Sequence, residues 1–234
     1  MADLKLDRQT AQLEISRTPF LAGLPSTAIA KVTARISTRV HPPDQVILLE
    51  NDWGNSVFFV LRGWVKIRTY NLDGKEITLN VLGNGEMFGE MAPLDRVPRS
   101  TDVITLTEAA IASLPATDFM ELVESEPQAA LRLARLLAQR LRQLNRRLRL
   151  READSGARVA DILLFFAESQ GIKTQRGIEI PSLPHRELSS MSGLARETVT
   201  RVMGKLEKKG VVQRFDDRDT LCIPDIQILE ELVI

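Results

Sequence analysis

Cysteine, histidine and long apolar runs are scarce in this chain of 234 residues. The single cysteine, Cys222, excludes an internal disulfide and any metal site built only from cysteines of one chain. With two histidines, no P-loop and no nucleophile–base pair, acid–base chemistry would depend on carboxylates, so we expect no enzyme and no metal. The longest apolar runs, such as residues 162–167, are too short to span a bilayer.

Residues 1–17 contain no continuous apolar segment, so we find no secretory signal. Hydrophobic residues make up 44% of the chain and charged residues 26%, which is typical of a soluble globular protein. We therefore expect a cytoplasmic protein that has no membrane partner.

The net charge is zero, but it is unevenly distributed along the chain. Residues 1–127 carry 12 basic and 17 acidic side chains, a net charge of −5, whereas residues 128–214 carry 18 basic and 8 acidic side chains, a net charge of +10. A basic segment beside an acidic one is typical of a protein that binds a polyanion with one part only. The alternative is a basic helix surface that faces water.

The first half of the chain predicts helices followed by a β-domain. Residues 13–39 have a helical pattern that is interrupted at Pro19 and at residues 23–25. Short runs rich in β-branched residues then alternate with turn residues, and we expect Gly63 and Gly74 to supply positive φ at hairpins. The runs are 46–49, 57–61, 65–70, 77–82, 100–105 and 109–114. This spacing predicts a small antiparallel barrel or sandwich.

A long helix is predicted from Pro127 to residue 152, with no glycine or proline inside it. Its apolar residues recur at alternating spacings of four and three, which favours a coiled-coil dimer seam over a helix packed only on its own barrel. The remaining faces are rich in arginine, whereas a monomer's core helix would be apolar over a wider arc. The seam residues that we expect are Leu137, Leu141, Leu144 and Leu148.

Residues 184–210 predict a helix-turn-helix after a hinge at residues 154–156 and an apolar helix over 157–169. A short helix over 185–192 is followed by Gly193 and by a second helix over 195–209. The second helix of such a motif lies in the DNA major groove, and its exposed face here is polar. That face carries Arg196, Glu197, Thr200, Arg201 and Lys205. The alternative is an ordinary helical hairpin with a charged surface.

The run Ala195-Arg-Glu-Thr-Val-Thr-Arg201 closely resembles the recognition helix of the cyclic-AMP receptor protein (catabolite activator) or CRP/FNR family. The resemblance covers most of the chain and implies an α+β fold. It implies N-terminal helices and a cyclic-nucleotide-binding β-roll over residues 1–126, a dimerisation helix over 127–153 and a winged helix-turn-helix over 154–234. It further implies a homodimer that binds palindromic double-stranded DNA and has RNA polymerase as a partner.

The resemblance also implies roles for residues in the helix-turn-helix. Arg196 and Arg201 would contact guanines of a TGTGA-type half-site, Glu197 would contact a cytosine, and Thr198 would touch a phosphate. His185 and Arg186 fall at the start of the first helix, where the family places backbone contacts. Ala195 stands where the family often has a hydroxyl that contacts a phosphate, so this position departs from the family pattern.

A second match is Phe88-Gly-Glu-Met-Ala-Pro-Leu94 with Pro98-Arg-Ser-Thr101, which resembles the phosphate-binding cassette of cyclic-nucleotide domains. By resemblance, Arg99 and Ser100 hold the cyclic phosphate, Glu90 accepts from the ribose hydroxyl, and Gly89 lets the backbone approach the ligand closely. Pro93 departs from the family pattern. The ligand residues implied in this segment are Gly89, Glu90, Met91, Arg99, Ser100 and Thr101.

The base contact is less well defined. The family positions that hold adenine fall on Leu144, which cannot form a hydrogen bond, and Asn145, which offers both donors and an acceptor. Asn145 would equally fix the register of a helical seam. Cyclic AMP is therefore the first expectation, with cyclic GMP, another effector or no ligand as alternatives. An iron–sulfur sensor would need several cysteines, and a haem sensor could use only His41 near the barrel.

Overall fold

The computed structural model describes residues 7–215 and 220–233. The chain divides into two compact units, Met1–Leu137 and Ala138–Ile234. In the first unit, the described helices are α1 (Arg8–Ser16), α2 (Ser26–Arg35), α3 (Met91–Asp95) and α4 (Ala116–Ser125). Its strands are β1 (Ser37–His41), β2 (Val46–Leu48), β3 (Ser56–Arg62), β4 (Val65–Tyr70), β5 (Glu76–Leu82), β6 (Met87–Phe88), β7 (Asp102–Thr105) and β8 (Ala109–Pro115). Helix α5 (Pro127–Arg149) crosses the division between the units.

The first unit is an antiparallel β-roll of two four-stranded sheets, in the orders β1-β8-β3-β6 and β2-β7-β4-β5. A core cluster that includes Val60, Val65, Phe88 and Ile111 draws on both sheets. A second cluster joins helices α1, α2, α4 and the start of α5 to β3 and β8. The rings of Phe20 and Phe119 in this cluster lie 5.8 Å apart. The predicted α+β fold with an antiparallel roll is confirmed.

All six predicted strand runs form strands, with shifts of at most two residues at their ends. Gly63 and Gly74 have φ values of 78° and 73°, as predicted for hairpin turns. The helical prediction for residues 13–39 is wrong at its end. Helix α2 stops at Arg35, and β1 begins at Ser37 because the alternating, partly β-branched residues Ser37–His41 pair with β8. The two-residue strand β6 was not predicted either.

In the second unit, α5 runs without a break to Arg149, and a short 3-10 turn spans Leu150–Glu152. The following elements are α6 (Ser155–Gln170), β9 (Ile172–Thr174), β10 (Gly177–Pro181), α7 (His185–Ser192), α8 (Arg196–Lys208), β11 (Gln213–Arg214), β12 (Thr220–Ile223) and α9 (Ile226–Glu231). The strands form one antiparallel sheet in the order β11-β12-β10-β9. The predicted wing is thus present, and β9 and β10 extend it.

The predicted hinge at residues 154–156 is the N-terminal cap of α6. The Asp154 carboxylate accepts from the backbone N–H groups of Gly156 at 2.6 Å and Ala157 at 3.1 Å. Ten residues of α6 are buried, which makes this helix the centre of the second unit. The cap explains why an acidic residue and a glycine stand where the chain leaves the long helix.

Candidate functional sites

The first candidate site is the segment between β6 and β7, which contains α3. Gly89 follows β6 directly and has a φ of 78°, a conformation that disfavours a side chain. A Cβ atom at Gly89 would also lie 2.8 Å from Arg99 Nη1. Both the backbone conformation and the close approach of the arginine therefore require glycine at this position.

Arg99 is held by main-chain atoms on both sides. Its Nη1 donates to Gly89 O, and its Nη2 donates to Ser56 O at 2.6 Å. Its own backbone N–H donates to Asp52 O, and its carbonyl accepts from Asn51 N–H, both at 2.8 Å. Only 4% of the residue is exposed, so protein groups in fixed positions surround the guanidinium in place of water.

One nitrogen of this guanidinium forms no hydrogen bond. Arg99 Nε is buried and has no hydrogen-bond partner among the residues that the structure describes. Burial lowers the pKa of Arg99, and the nearby carboxylate of Glu90 opposes that shift. Glu90 itself is 2% exposed. Arginine keeps its charge even so, and a buried charged donor without an acceptor is a site that an anionic oxygen would complete.

Gly54, which the sequence interpretation did not include, belongs to the same site. A Cβ atom there would lie 2.2 Å from Arg99 Nε and from Nη2. Gly54 and Gly89 therefore form a cradle for the guanidinium. In the sequence, Gly54 gave only the signal of a turn residue, because its partner lies 45 positions away along the chain.

The other predicted ligand residues of this segment lie at its surface. Ser100 is exposed, and its hydroxyl lies 3.9 Å from the Sδ atom of Met91, which is also exposed. Thr101 is half-buried. The structure thus brings Gly89, Glu90 and Arg99 together, and the exposed hydroxyl of Ser100 belongs to the residue that follows Arg99.

The predicted seam residues lie on one helix but differ in burial. Leu137 is half-buried and packs against the core of the first unit. Leu141, Leu144 and Leu148 belong to the second unit and are 59%, 44% and 66% exposed, and Asn145 is exposed as well. Several large apolar side chains exposed at helical spacing are typical of a surface that is covered in an assembly. The seam itself remains a prediction.

The end of α5 is tied to α6 by charge. Arg146 pairs with the buried carboxylate of Asp161, and the Arg147 guanidinium lies 5.6 Å from the centre of the Phe165 ring. Burial raises the pKa of Asp161, while Arg146, Arg147 and Arg149 oppose that rise. The contact links the long helix directly to the central helix of the second unit.

The second candidate site is the α7–turn–α8 motif. Gly193 ends α7 in the left-handed conformation with a φ of 67°, and the Ser189 hydroxyl donates to Leu194 O at 2.6 Å, which fixes the turn. Leu188 and Met191 of α7 are buried. The buried face of α8 comprises Val199, Val202, Met203 and Leu206.

The opposite face of α8 is polar and open. The residues exposed there are Arg196, Glu197, Thr200, Arg201 and Lys205, and Thr198 is half-buried. At the start of α7, His185 Nδ1 lies 2.9 Å from Thr200 Oγ1, and Arg186 pairs with buried Glu187 at 3.0 Å. The helix therefore presents a row of cationic and hydrogen-bonding groups of a kind that can contact base edges and phosphates.

Comparison with known proteins identifies both domains. Residues 38–126 match the cyclic nucleotide-binding domain family, and residues 157–232 match the Crp-like helix-turn-helix domain family. The "Cyclic AMP receptor protein" of Thermus thermophilus is 32% identical over 92% of this chain and 96% of that protein. The chain belongs to the CRP/FNR family of transcription regulators.

The CRP/FNR family consists of transcription regulators rather than enzymes. Its members carry names that record different roles. The "Global nitrogen regulator" of Nostoc is 26% identical over 84% of this chain and 93% of that protein. A solved structure of a CooA mutant from Carboxydothermus hydrogenoformans shares the fold, with a TM-score of 0.70 and 22% identity over 95% of this chain and 99% of that one. Family membership therefore establishes the two domains and leaves the effector open.

Two further observations concern ligands and membranes. Within residues 7–215 and 220–233, no group of three or more histidine, cysteine, aspartate or glutamate side chains could hold a metal ion. The helices of the same residues are all too short or too polar to cross a membrane.

Proposed function

We propose that this chain is a homodimeric transcription regulator whose DNA binding is controlled by a cyclic nucleotide, with cyclic AMP as the first choice. The observation that carries the sensing half is the buried guanidinium of Arg99, whose Nε nitrogen has no hydrogen-bond partner and lies in a glycine-lined cradle. A cyclic phosphate has one negative charge and two free oxygens, which this arrangement suits.

In this proposal each ligand group meets a different residue. The cyclic phosphate accepts hydrogen bonds from Arg99 Nε and from the Ser100 hydroxyl, and Gly89 allows the backbone to approach the phosphate closely. Glu90 accepts from the ribose 2′-hydroxyl, and Met91 and Thr101 border the site. Leu144 and Asn145 contact the nucleotide base, and Asn145 forms the hydrogen bonds to it.

The DNA half rests on the exposed face of α8. Arg196 and Arg201 contact guanines of a TGTGA-type palindrome, and Glu197 accepts from cytosine. Thr200 and Lys205 extend the same surface. Thr198, His185 and Arg186 contact the sugar–phosphate backbone, which fixes the position of the helix without reading sequence.

A dimer follows from the palindrome and from the exposed leucines. Residues 127–153 pair through Leu137, Leu141, Leu144 and Leu148, which buries the last three of these side chains, otherwise exposed to water. Two recognition helices then meet successive major grooves about 34 Å apart. Residues 1–126 sense the ligand, residues 154–234 bind DNA in the cytoplasm, and RNA polymerase is the partner that reads the bound state.

The effector acts through its different affinities for two arrangements of the dimer. In this proposal, ligand binding alters the long helix near Leu141, and residues 154–156 form the hinge at which the DNA-binding unit turns. The Arg146–Asp161 contact carries the movement from α5 into α6.

The deciding experiment is a titration of a fluorescent TGTGA palindrome with the full chain, with and without cyclic AMP. We expect cyclic AMP to raise the affinity for the palindrome above that for a random duplex. Specific binding that is unchanged by cyclic AMP would contradict cyclic AMP as the effector and would still support specific DNA binding. Equal affinity for the palindrome and the random duplex, with and without cyclic AMP, would contradict sequence-specific DNA binding.

A regulator of the same family with another effector is the second candidate. Leu144 cannot form the hydrogen bond that a base edge offers, and a relative carries the name of a nitrogen regulator. A ligand that binds only the folded protein raises its melting temperature, so a thermal-shift screen of cyclic AMP, cyclic GMP and cyclic di-GMP separates the candidates.

A further inference from the structure

Three groups form a hydrogen-bonded chain between α7 and the first turns of α8. His185 Nδ1 lies 2.9 Å from Thr200 Oγ1, and Thr200 Oγ1 lies 3.0 Å from Arg196 O. The chain joins the first residue of α7 to the helix that carries the DNA-reading face. His185 is half-buried, so part of its ring still meets solvent.

The two contacts limit which ring nitrogen can carry the proton. The Thr200 hydroxyl has one hydrogen, and the Arg196 carbonyl can only accept. When that hydrogen is donated to Arg196 O, His185 Nδ1 donates to the Thr200 oxygen. In this arrangement neutral His185 is the Nδ1–H tautomer, and its Nε2 atom has a lone pair and no hydrogen.

A lone pair on Nε2 cannot bind a phosphate oxygen, whereas an Nε2–H group can. The first helix of a helix-turn-helix crosses the DNA backbone, which places the start of α7 among phosphates when α8 enters the major groove. His185 can thus donate to a phosphate only as the imidazolium, with Nδ1–H still bound to Thr200.

The charged groups that face His185 disfavour the imidazolium before DNA arrives. Burial lowers the pKa of His185, Arg214 of β11 and Arg196 of α8 lower it further, and Glu207 of α8 opposes them. Glu207 is itself paired with Arg214 at 3.5 Å. A phosphate beside the ring would reverse this balance, because an adjacent negative charge stabilises the protonated form.

We propose that His185 is a proton-dependent phosphate contact, so that DNA binding takes up a proton at this residue. This inference rests on the proposed DNA-binding function and adds a pH dependence to it. The palindrome and a random duplex have the same phosphate backbone, so we expect the pH dependence of affinity on both.

The sign of the effect follows from linkage. The complex binds more protons than the free protein between the lower, free-protein pKa of His185 and the higher pKa in the complex. DNA affinity therefore falls as the pH rises through that window, by at most about tenfold per pH unit for each proton taken up, which is about a hundredfold for a dimer with one His185 contact in each subunit. Above the window, both states hold neutral His185 and the affinity becomes constant.

The test measures the affinity for a random duplex between about pH 5.5 and 8.5 at fixed ionic strength. Wild type should show the falling limb. His185→Arg, which is always charged, should bind as wild type does at low pH and show no fall. His185→Gln should bind as wild type does at high pH. His41→Gln is the matched control, because His41 is the chain's other histidine, and it should keep the wild-type curve.

The tautomer gives a second, independent readout. Long-range ¹H–¹⁵N spectra of the full chain distinguish Nδ1–H from Nε2–H and report the pKa of each histidine, with His41→Gln providing the assignment. We expect the Nδ1–H form in the free protein and a higher His185 pKa with DNA. The Nε2–H tautomer, or an unchanged pKa on DNA, would overturn the inference.

Failure of this inference and failure of the proposed function give different results. If wild type binds DNA and His185→Gln leaves the pH dependence unchanged, the proton-dependent contact is wrong and DNA binding stands. If wild type binds neither duplex at any pH while it remains folded, the proposed function is wrong, and the inference is wrong with it.

Discussion

Both proposed sites offer arginine to a phosphate-bearing ligand, but in opposite settings. Arg99 is 4% exposed and held by two backbone carbonyls, whereas Arg196 and Arg201 lie on an exposed helix face. A small anion with one charge gains little binding free energy from a cation that is exposed to water. Tight binding therefore needs a desolvated and preorganised cation. DNA presents many charges, so exposed side chains suffice, and they remain free to read base edges.

The largest expected contrast between the two settings is in salt dependence. Raising the salt from about 50 to 200 mM should weaken DNA binding by about 10³-fold or more, because each dimer releases several counterions from the DNA. Cyclic nucleotide affinity should change only a few-fold, since one buried ion pair is screened much less. Parallel fluorescence titrations measure both, and equal salt slopes would mean that Arg99 is not the phosphate ligand.

Removal of the buried guanidinium should have the next largest effect. Arg99→Ala should reduce cyclic nucleotide affinity by about 2–3 kcal/mol, roughly 30–150-fold, because charged hydrogen bonds are lost in a buried setting. Calorimetry measures the loss, and gel filtration should show an unchanged dimer.

Arg99→Lys is the sharper version of this experiment. Lysine keeps the charge, but it lacks the planar fork that reaches both Gly89 O and Ser56 O. We expect it to lose most of the affinity as well. Full affinity in Arg99→Lys would show that only the charge matters and that the preorganised cradle does not.

An exposed arginine should contribute less, and selectively. Arg196→Ala should weaken binding to a TGTGA palindrome by about 1–3 kcal/mol for each lost bidentate contact, with a smaller effect on random DNA. Arg17→Ala removes an exposed arginine of the first unit and should change neither affinity. An equal loss on both duplexes for Arg196→Ala would mean that Arg196 touches phosphate only.

The exposed site was the more predictable of the two. The helical period alone separated Val199, Val202, Met203 and Leu206 from the polar face of α8, because local sequence decides which side of an amphipathic helix is buried. Short β-branched runs between turn residues likewise located six strands. The sequence missed β1, whose residues become a strand through pairing with β8, 68 to 76 positions later in the chain.

The buried site was predictable only in part. The motif supplied Gly89, Glu90 and Arg99, but not the groups that hold the guanidinium. Ser56 O and Gly54 come from a loop and strand more than 40 positions earlier, and a backbone carbonyl leaves no trace in the sequence. The unpaired Nε of Arg99 is likewise a property of the folded site, because it depends on every group packed around it.

Gly54 offers the smallest change that still tests the buried setting. Its Cβ atom in Gly54→Ala would lie 2.2 Å from two nitrogens of Arg99, so the guanidinium must move away from Ser56 O. Because this end of the side chain is flexible, we expect a loss of about 1 kcal/mol in cyclic nucleotide affinity, roughly the value of one hydrogen bond. Calorimetry with the full chain measures the loss.

Gly74→Ala is the matched control, since Gly74 has a φ of 73° and its Cβ atom would meet nothing within 4 Å. That variant should lose stability through backbone strain, by about 1 kcal/mol or somewhat more, and keep its nucleotide affinity. If Gly54→Ala instead binds cyclic nucleotide as tightly as wild type, the guanidinium does not occupy the Gly54 cradle when ligand is bound. Arg99 would then move on binding, and the contrast with the recognition helix would be one of mobility as well as burial.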